Sequence, residues 1–133
     1  HLRFLMGHLG NPWFQDAADV LYKNDNVFAD ISGLTLGEFS YDFERYVAMR
    51  LKDMITYMGD PGKQLMYGTD WPLVRMKPYV KLLHELDFTD DQLENISWRT
   101  AAKLFRIEEA GLEKVRSQRD TGPDADGGAP TNG

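Results

Sequence analysis

Cysteine is absent from this chain of 133 residues. Its absence excludes a disulfide framework and thiolate metal sites within the chain, and a reducing compartment is then the natural expectation. No apolar run approaches the roughly 20 residues that cross a bilayer, and the N-terminus lacks the basic and apolar segments of a secretory signal. We therefore expect a cytoplasmic protein with no membrane partner.

Positive charge is also in short supply. The chain has 15 Lys and Arg residues against 21 Asp and Glu residues, which gives a formal net charge of -6. A general nucleic-acid-binding protein normally presents a basic face, so this composition argues against that class of protein. Hydrophobic residues at 42% and charged residues at 27% are ordinary for a globular protein, and the length suits one domain.

Short apolar runs alternate with helical patterns along the chain. The predicted strands are residues 2–6, 26–32 and 64–67. The helical patterns that follow them are residues 13–23, 41–58 and 77–86. A last helical pattern starts after Thr89, which can cap it, and continues to about Arg119 with a break near Trp98. This alternation predicts parallel strands in an α/β fold.

The spacing of the strand ends resembles that of a closed barrel. The first two ends, near Gly7 and Ser32, are 25 residues apart, and the third, near Gly68, follows after 36 more. A barrel of eight β/α units in about 250 residues has roughly 31 residues per unit, and three units cannot close it. The chain also starts at His1 and enters a buried-looking strand at once, so we expect residues 1–119 to be a fragment of a barrel domain.

The remaining residues, 120–133, read "DTGPDADGGAPTNG". This segment is rich in Gly, Pro and Asp and has no apolar face that could be buried. We therefore predict a disordered tail.

Two residues that could take part in catalysis or metal binding follow predicted strands. His8 comes after the first strand and Asp70 after the third. Active sites of open α/β sheets and of barrels lie beyond the carboxyl ends of the strands. Imidazole and carboxylate are both Zn²⁺ ligands, and a carboxylate beside an activated water can accept its proton. The alternative is that Asp70 only forms a turn or caps a helix, as Asp often does.

Four stretches of the sequence together resemble a known family: "RFLMGHLGNPW", "NVFADISG", "LMYGTDWPL" and "TAAKLF". They are similar to the C-terminal part of the amidohydrolase-related metal-dependent hydrolases, in the branch with carboxymuconate-semialdehyde-type decarboxylases. The resemblance covers roughly residues 2–107. His8 stands in the family's H-x-G context, and Asp70 stands in the more specific G-[ST]-D-x-P context of residues 68–72.

This resemblance implies a fold and a set of roles. The three strands would be strands six to eight of a (β/α)8 barrel of the TIM type. Asp70 would be a metal ligand and proton acceptor, and His8 would be a base or an electrostatic stabiliser of the substrate. The cofactor would be a divalent metal, with Zn²⁺ expected. The family's other ligands, an H-x-H pair on strand one and a histidine on strand five, are not in this chain, and His1 would lie roughly 20 Å from His8 along the strand.

The roles of five further residues stay open at this stage. Trp13 and Trp71 follow the site residues and are expected to bind substrate, the alternative being that they pack loops against the barrel. Asp30 shares a strand face with Ser32 and lies either near the barrel mouth or in a structural pair, which is the preferred interpretation. His84 is predicted to be a surface or packing residue. Thr100 stands where the family often has asparagine, so a structural role is expected.

The expected function is therefore that of a metal-dependent hydrolase that acts on C–N or C–O bonds of a small organic substrate through metal-activated water, with the isolated chain inactive. Non-oxidative decarboxylation is the alternative within the family. A small, complete α/β binding domain without metal, in which His8 and Asp70 only form loops, is the alternative from another class. A homo-oligomer is compatible with each of these.

Overall fold

The computed structural model describes residues 2–35, 40–107 and 111. Within them, three short strands form one parallel sheet in the order β1-β2-β3. The strands are β1 (Phe4–Met6), β2 (Val27–Asp30) and β3 (Leu65–Met66). The predicted α/β fold with parallel strands is confirmed.

Helices follow each strand, close to the predicted positions. The longer ones are α1 (Phe14–Lys23), α2 (Tyr41–Met58) and α3 (Met76–Glu85). Short 3-10 turns span Gly7–Gly10 and Pro61–Lys63. The chain then forms α4 (Asp90–Glu94), a π-helical turn (Asn95–Arg99) and α5 (Thr100–Phe105).

The last helical pattern is interrupted within the described residues. The predicted break near Trp98 is the π-helical turn, in which the helix is wound more loosely. Helix α5 ends at Phe105, because Arg106 adopts a left-handed conformation with φ of 56°. Beyond Ile107, the predicted continuation to about Arg119 lies outside the described residues, except for Gly111. The predicted tail at 120–133 lies outside the described residues.

The two faces of β2 differ in burial, and this difference positions the site. Val27, Ala29 and Ile31 are buried in the core. Asp30 is only half-buried and points to the other face, because successive side chains of a strand alternate. Most of the core comes from the buried faces of the helices, including Ala18, Leu21, Val47, Leu51, Met54, Tyr79 and Leu82.

The burial expected of the first strand is not found. Phe4 and Leu5 are both exposed. The reason is that β1 is an outer strand of the described sheet, with β2 on one side and no described strand on the other. The structure therefore presents an apolar sheet edge at β1.

A single glutamine fastens β3 to the elements beside it. Gln64 Nε2 lies 3.0, 2.9 and 2.8 Å from the carbonyl oxygens of Leu21, Asn24 and Val27. An amide has two hydrogens, so one of them is shared between two carbonyls. The side chain thereby joins the end of α1 and the start of β2 to β3.

A buried tyrosine holds the loop that follows β2. The Tyr79 hydroxyl accepts hydrogen bonds from the backbone amides of Leu34 at 3.0 Å and Thr35 at 3.4 Å. Burial raises the pKa of the Tyr79 hydroxyl above its ordinary value, and the nearby carboxylates of Asp70 and Asp30 add smaller contributions in the same direction. Tyr79 therefore fixes the position of the chain just beyond the end of β2.

We predict that Gln64→Glu lowers the free energy of unfolding by about 2 kcal/mol, because a carboxylate would face three carbonyl oxygens and leave them without donors. Urea denaturation of the variant and the unmodified protein measures the difference. Gln92→Glu is the matched control. The Gln92 side chain accepts the backbone amide of Thr89 in a capping box, and glutamate accepts equally well. Equal losses in the two variants would contradict the donor role of Gln64.

Candidate active site

His8 lies on the tight turn that follows β1, in an unusual backbone conformation. Its φ is 58°, and the next two residues, Leu9 and Gly10, have φ of 53° and 69°. The His8 amide donates to Asp30 Oδ1 at 3.2 Å, and its carbonyl accepts from the amide of Asn11 at 2.8 Å. A left-handed conformation of a residue other than glycine costs about 1–3 kcal/mol and is typical of functional sites.

Asp70 lies on the turn that follows β3 and is also left-handed, with φ of 59°. The hydrogen bonds of this turn are made by other groups. Thr69 Oγ1 accepts from the amide of Trp71 at 3.2 Å, and the amide of Leu73 donates to the backbone carbonyl of Asp70 at 2.9 Å. In the described part of the chain, the carboxylate of Asp70 makes no hydrogen bond to its own turn, so the turn-former interpretation has no support in the contacts.

The two candidate residues meet although 61 residues separate them in the sequence. His8 Nδ1 lies 3.6 Å from Asp70 Oδ2. Both side chains keep access to solvent, with 52% of the His8 side chain and 29% of the Asp70 side chain exposed. The sheet brings them together because it is parallel, so the carboxyl ends of its strands lie at one edge.

Asp30 and Ser32, at the end of β2, complete the cluster. Asp30 Oδ1 accepts hydrogen bonds from the hydroxyl of Ser32, from the Ser32 amide at 3.0 Å and from the His8 amide at 3.2 Å. Ser32 Oγ in turn lies 3.0 Å from His8 Nδ1. Asp30 was expected either near the barrel mouth or in a structural pair. Its contacts fit both interpretations, because it is hydrogen-bonded to Ser32 and lies beside the candidate site.

Ser32 was missed as a site residue by sequence reasoning, although one signal pointed to it. Strand alternation places Ser32 on the same face as Asp30, beyond the end of β2. The register pairs Asp30 with Met66, so Ser32 lies beside Gly68. A Cβ on Gly68 would approach Ser32 Cβ to 3.2 Å, so glycine lets the end of β3 come close to Ser32.

Gly33 makes room for the His8 ring and was also missed. Its φ is +59°, and a Cβ at this position would lie 2.1 Å from His8 Nδ1. A real side chain cannot occupy that space. Gly33 thus allows the imidazole to rest against the backbone that follows β2.

The two tryptophans assigned to substrate binding both face solvent. Trp13 is 68% exposed and Trp71 is 71% exposed. Such exposure gives no support to the alternative in which they pack loops against the barrel. Contact with a substrate stays a prediction for both residues.

His84 and Thr100 occupy positions away from the cluster. His84 is exposed on α3, where it lines a surface hollow of about 210 Å³ with Tyr67 and Val80. Thr100 is buried, and its hydroxyl donates to the carbonyl of Gly62 at 2.9 Å. The surface position expected of His84 and the structural role expected of Thr100 agree with these contacts.

A metal ion would find only part of its ligands in this cluster. Asp70 offers carboxylate oxygens that its own turn does not use, which suits one metal ligand. Catalytic zinc normally takes three protein ligands, and the described residues contain no group of three or more His, Cys, Asp or Glu placed to hold a metal. Asp70 therefore fits as one ligand, without a complete set around it.

None of the helices in the described ranges is long and apolar enough to cross a membrane.

Comparison with known proteins identifies a family and several solved structures that are similar to this chain. Residues 1–107 match the sequence model of a family described as Amidohydrolase. No curated protein matches the chain. The solved structures that match include an amidohydrolase from Burkholderia multivorans with bound Zn, at 18% identity and a TM-score of 0.65.

Two decarboxylases are also similar in structure. One is a dihydroxybenzoic acid decarboxylase from Polaromonas sp. JS666 with bound manganese and the inhibitor 2-nitroresorcinol, at 17% identity and a TM-score of 0.53. The other is a 2,6-dihydroxybenzoate decarboxylase from Rhizobium, at 17% identity and a TM-score of 0.54. In all three comparisons 80% of this chain is covered, but only 45%, 34% and 35% of the respective solved chains. At these identities the likeness is one of fold.

We predict that Gly33→Ala displaces the His8 imidazole, because the added Cβ would occupy the space of the ring. The ring resonances of His8 in NMR spectra should shift, and the free energy of unfolding should fall. Gly59→Ala is the matched control. Gly59 also has positive φ, +76°, but nothing lies within 4 Å of the added Cβ, so only the backbone cost of about 1 kcal/mol remains. Unchanged His8 resonances in Gly33→Ala would contradict the packing of the ring on Gly33.

Proposed function

The chain belongs to the amidohydrolase family, and we propose that its His8 and Asp70 act in a metal-dependent hydrolase that cleaves a C–N or C–O bond of a small organic substrate. In this proposal β1, β2 and β3 correspond to strands six to eight of a (β/α)8 barrel. Residues of the other strands would complete the metal site. Trp13 and Trp71 would line the substrate pocket.

The observation that supports this proposal most is the contact between His8 Nδ1 and Asp70 Oδ2, at 3.6 Å. Two residues from turns at the ends of β1 and β3 meet at the carboxyl edge of a parallel sheet. That edge is where α/β enzymes bind substrates. Both residues are left-handed, and neither uses its side chain to stabilise its own turn, which points to a role beyond loop formation.

Asp70 is proposed to bind the metal and to accept a proton. Its carboxylate has two oxygens, so one can face a metal while the other faces the reacting groups. A divalent ion bound there would activate water for attack near neutral pH. Bound Zn in the Burkholderia amidohydrolase and bound manganese in the Polaromonas decarboxylase support a divalent metal, and Zn²⁺ is the one we propose.

His8 is proposed to act on the substrate side of the site. Its ring rests on Gly33 and contacts Ser32 through Nδ1, which leaves Nε2 directed away from these partners. In that position the imidazole can move a proton or stabilise negative charge that develops on the substrate. Asp70 and His8 would thus flank the reacting atoms.

Decarboxylation is the second candidate reaction. Two of the similar solved structures are named decarboxylases of dihydroxybenzoates, and each match covers 80% of this chain. Release of CO2 from hydroxybenzoates, measured beside hydrolysis of small amides, esters and lactones, separates the two reactions. The family match favours either reaction over a small binding domain without catalysis.

We predict that Asp70→Asn lowers turnover by roughly 10²-fold or more in the protein expressed from its complete reading frame, because the variant loses the base. Bound metal should fall less, since the remaining ligands stay. Turnover and metal content are measured on the same samples. Asp87→Asn is the control, because Asp87 is an exposed partner of Lys52 on the surface. Normal turnover in Asp70→Asn would return Asp70 to the role of a turn former, since Asn forms the same turns.

We predict that His8→Ala lowers turnover by roughly 10²-fold while the fold and most of the metal are kept, because His8 lies at a strand end and outside the core. Circular dichroism, metal analysis and kinetics test the three parts separately. His84→Ala, on the exposed face of α3, should leave all three unchanged. Wild-type kinetics in His8→Ala would contradict its placement in the reaction.

A further inference from the structure

Ser32 lies between the ring of His8 and the carboxylate of Asp30, and the proposed reaction gives it no role. Its side chain is buried. Its hydroxyl donates to Asp30 Oδ1 and lies 3.0 Å from His8 Nδ1. Among the described residues, no other hydroxyl contacts the His8 ring. The two contacts of Ser32 therefore raise the question of which group donates and which accepts in each.

The carboxylate of Asp30 determines which group donates in its hydrogen bond with Ser32. An ionised carboxylate only accepts hydrogen bonds, whereas a hydroxyl has a single proton to donate and lone pairs to accept with. Asp30 Oδ1 already accepts the backbone amides of Ser32 and His8, so three donors converge on it. The single proton of Ser32 is therefore directed at Asp30.

The hydroxyl can then only accept from the imidazole. With its proton engaged by Asp30, Ser32 Oγ presents a lone pair to His8 Nδ1, and the contact at 3.0 Å is a hydrogen bond only if Nδ1 carries the proton. Asp70 Oδ2, at 3.6 Å from the same nitrogen, is a second acceptor on that side. In the neutral ring the other nitrogen, Nε2, is then unprotonated.

We propose that Ser32, oriented by Asp30, holds neutral His8 in the tautomer with the proton on Nδ1 and so presents Nε2 as the nitrogen that can accept a proton. Ser32 is a positioning residue, since it acts through His8. The assignment of the tautomer stands on the contacts alone. The use of Nε2 as a base on a substrate rests on the proposed function.

The backbone around His8 keeps this arrangement in place. Gly33 leaves no room for a Cβ beside the ring, and Asp30 holds the His8 amide in its left-handed conformation. The ring therefore cannot turn away from Ser32 without losing its packing against Gly33. Free histidine in water favours the opposite tautomer, with the proton on Nε2. The site therefore reverses the tautomer preference of the free imidazole.

The test is ¹⁵N NMR of the histidine side chains, at a pH where the imidazoles are neutral, on the protein from its complete reading frame. Spectra are recorded as purified and again after chelation. Long-range ¹H–¹⁵N correlations show which ring nitrogen carries the proton, and the His8→Gln variant assigns the His8 signals. His84 serves as an internal reference, because it is exposed on α3 and has no described hydrogen-bond partner. We expect the proton on Nδ1 in His8 and a preference for Nε2 in His84.

Removal of the hydroxyl is the decisive variant. Ser32→Ala should raise the share of the Nε2-protonated form of His8 several-fold, because Nδ1 loses its acceptor at 3.0 Å and retains only the more distant Asp70. Ser40→Ala is the matched control. It removes a serine hydroxyl that caps α2, and it should leave the His8 spectrum unchanged. If Ser32→Ala does not fold, Ser32→Cys retains the bulk with a much weaker acceptor and should shift the tautomer in the same direction.

Two results would overturn the proposal: an Nε2 proton on His8 in the unmodified protein, or an unchanged tautomer in the folded Ser32 variants. Either result leaves the proposed hydrolase untouched, since metal content and the effect of Asp70→Asn do not depend on it. Conversely, the expected tautomer without metal-dependent turnover would refute the proposed function and leave the inference standing.

Discussion

The candidate site depends on one oxygen atom, Asp30 Oδ1, which accepts hydrogen bonds from the hydroxyl of Ser32, the amide of Ser32 and the amide of His8. These bonds connect the end of β2 to the turn after β1. Without such an acceptor, the left-handed His8 amide would lose its partner among the described residues, and the Ser32 hydroxyl would lose the group that orients it. A charged acceptor makes these bonds stronger than neutral ones. In the proposed arrangement, this carboxylate sets both the position of the His8 imidazole and the ring nitrogen that carries its proton.

Backbone conformation is the second constraint on the site. His8, Gly33 and Asp70 all have positive φ, near 60°, and all lie just beyond the ends of strands. The glycine adopts this conformation without cost and leaves space for a ring, whereas His8 and Asp70 are held in it by surrounding contacts. The turn after β3 is stabilised through Thr69 and backbone groups, so the Asp70 carboxylate remains available. Backbone groups and neighbouring residues thereby stabilise the turns, so the side chains of His8 and Asp70 remain available for the proposed chemistry.

The rest of the fold positions these turns against one another. Gln64 fastens β3 to the end of α1 and the start of β2, and Tyr79 holds the loop beyond Gly33. The parallel register then brings Ser32 beside Gly68 at the same edge of the sheet. At the other side, β1 presents exposed apolar residues along an edge with no described partner strand. The part of the fold that is well packed is thus the part that supports His8, Ser32 and Asp70.

The sequence by itself determined the kind of fold and indicated the two candidate residues at the carboxyl edge of its sheet. Alternating apolar runs and helical patterns reflect the different periods of strand and helix, and those periods are local properties of the chain. His8 and Asp70 were also recognisable, because their short motifs place a polar residue directly after an apolar strand. The interruption at Arg106 was not, since a left-handed residue leaves no mark in the hydrophobic pattern. Only the tertiary structure decided that His8 lies 3.6 Å from Asp70, that Ser32 lies between His8 and Asp30, and that Gly33 makes space for a ring. These contacts join residues from different strands, and their geometry comes from sheet register and close packing, which no single stretch of sequence contains.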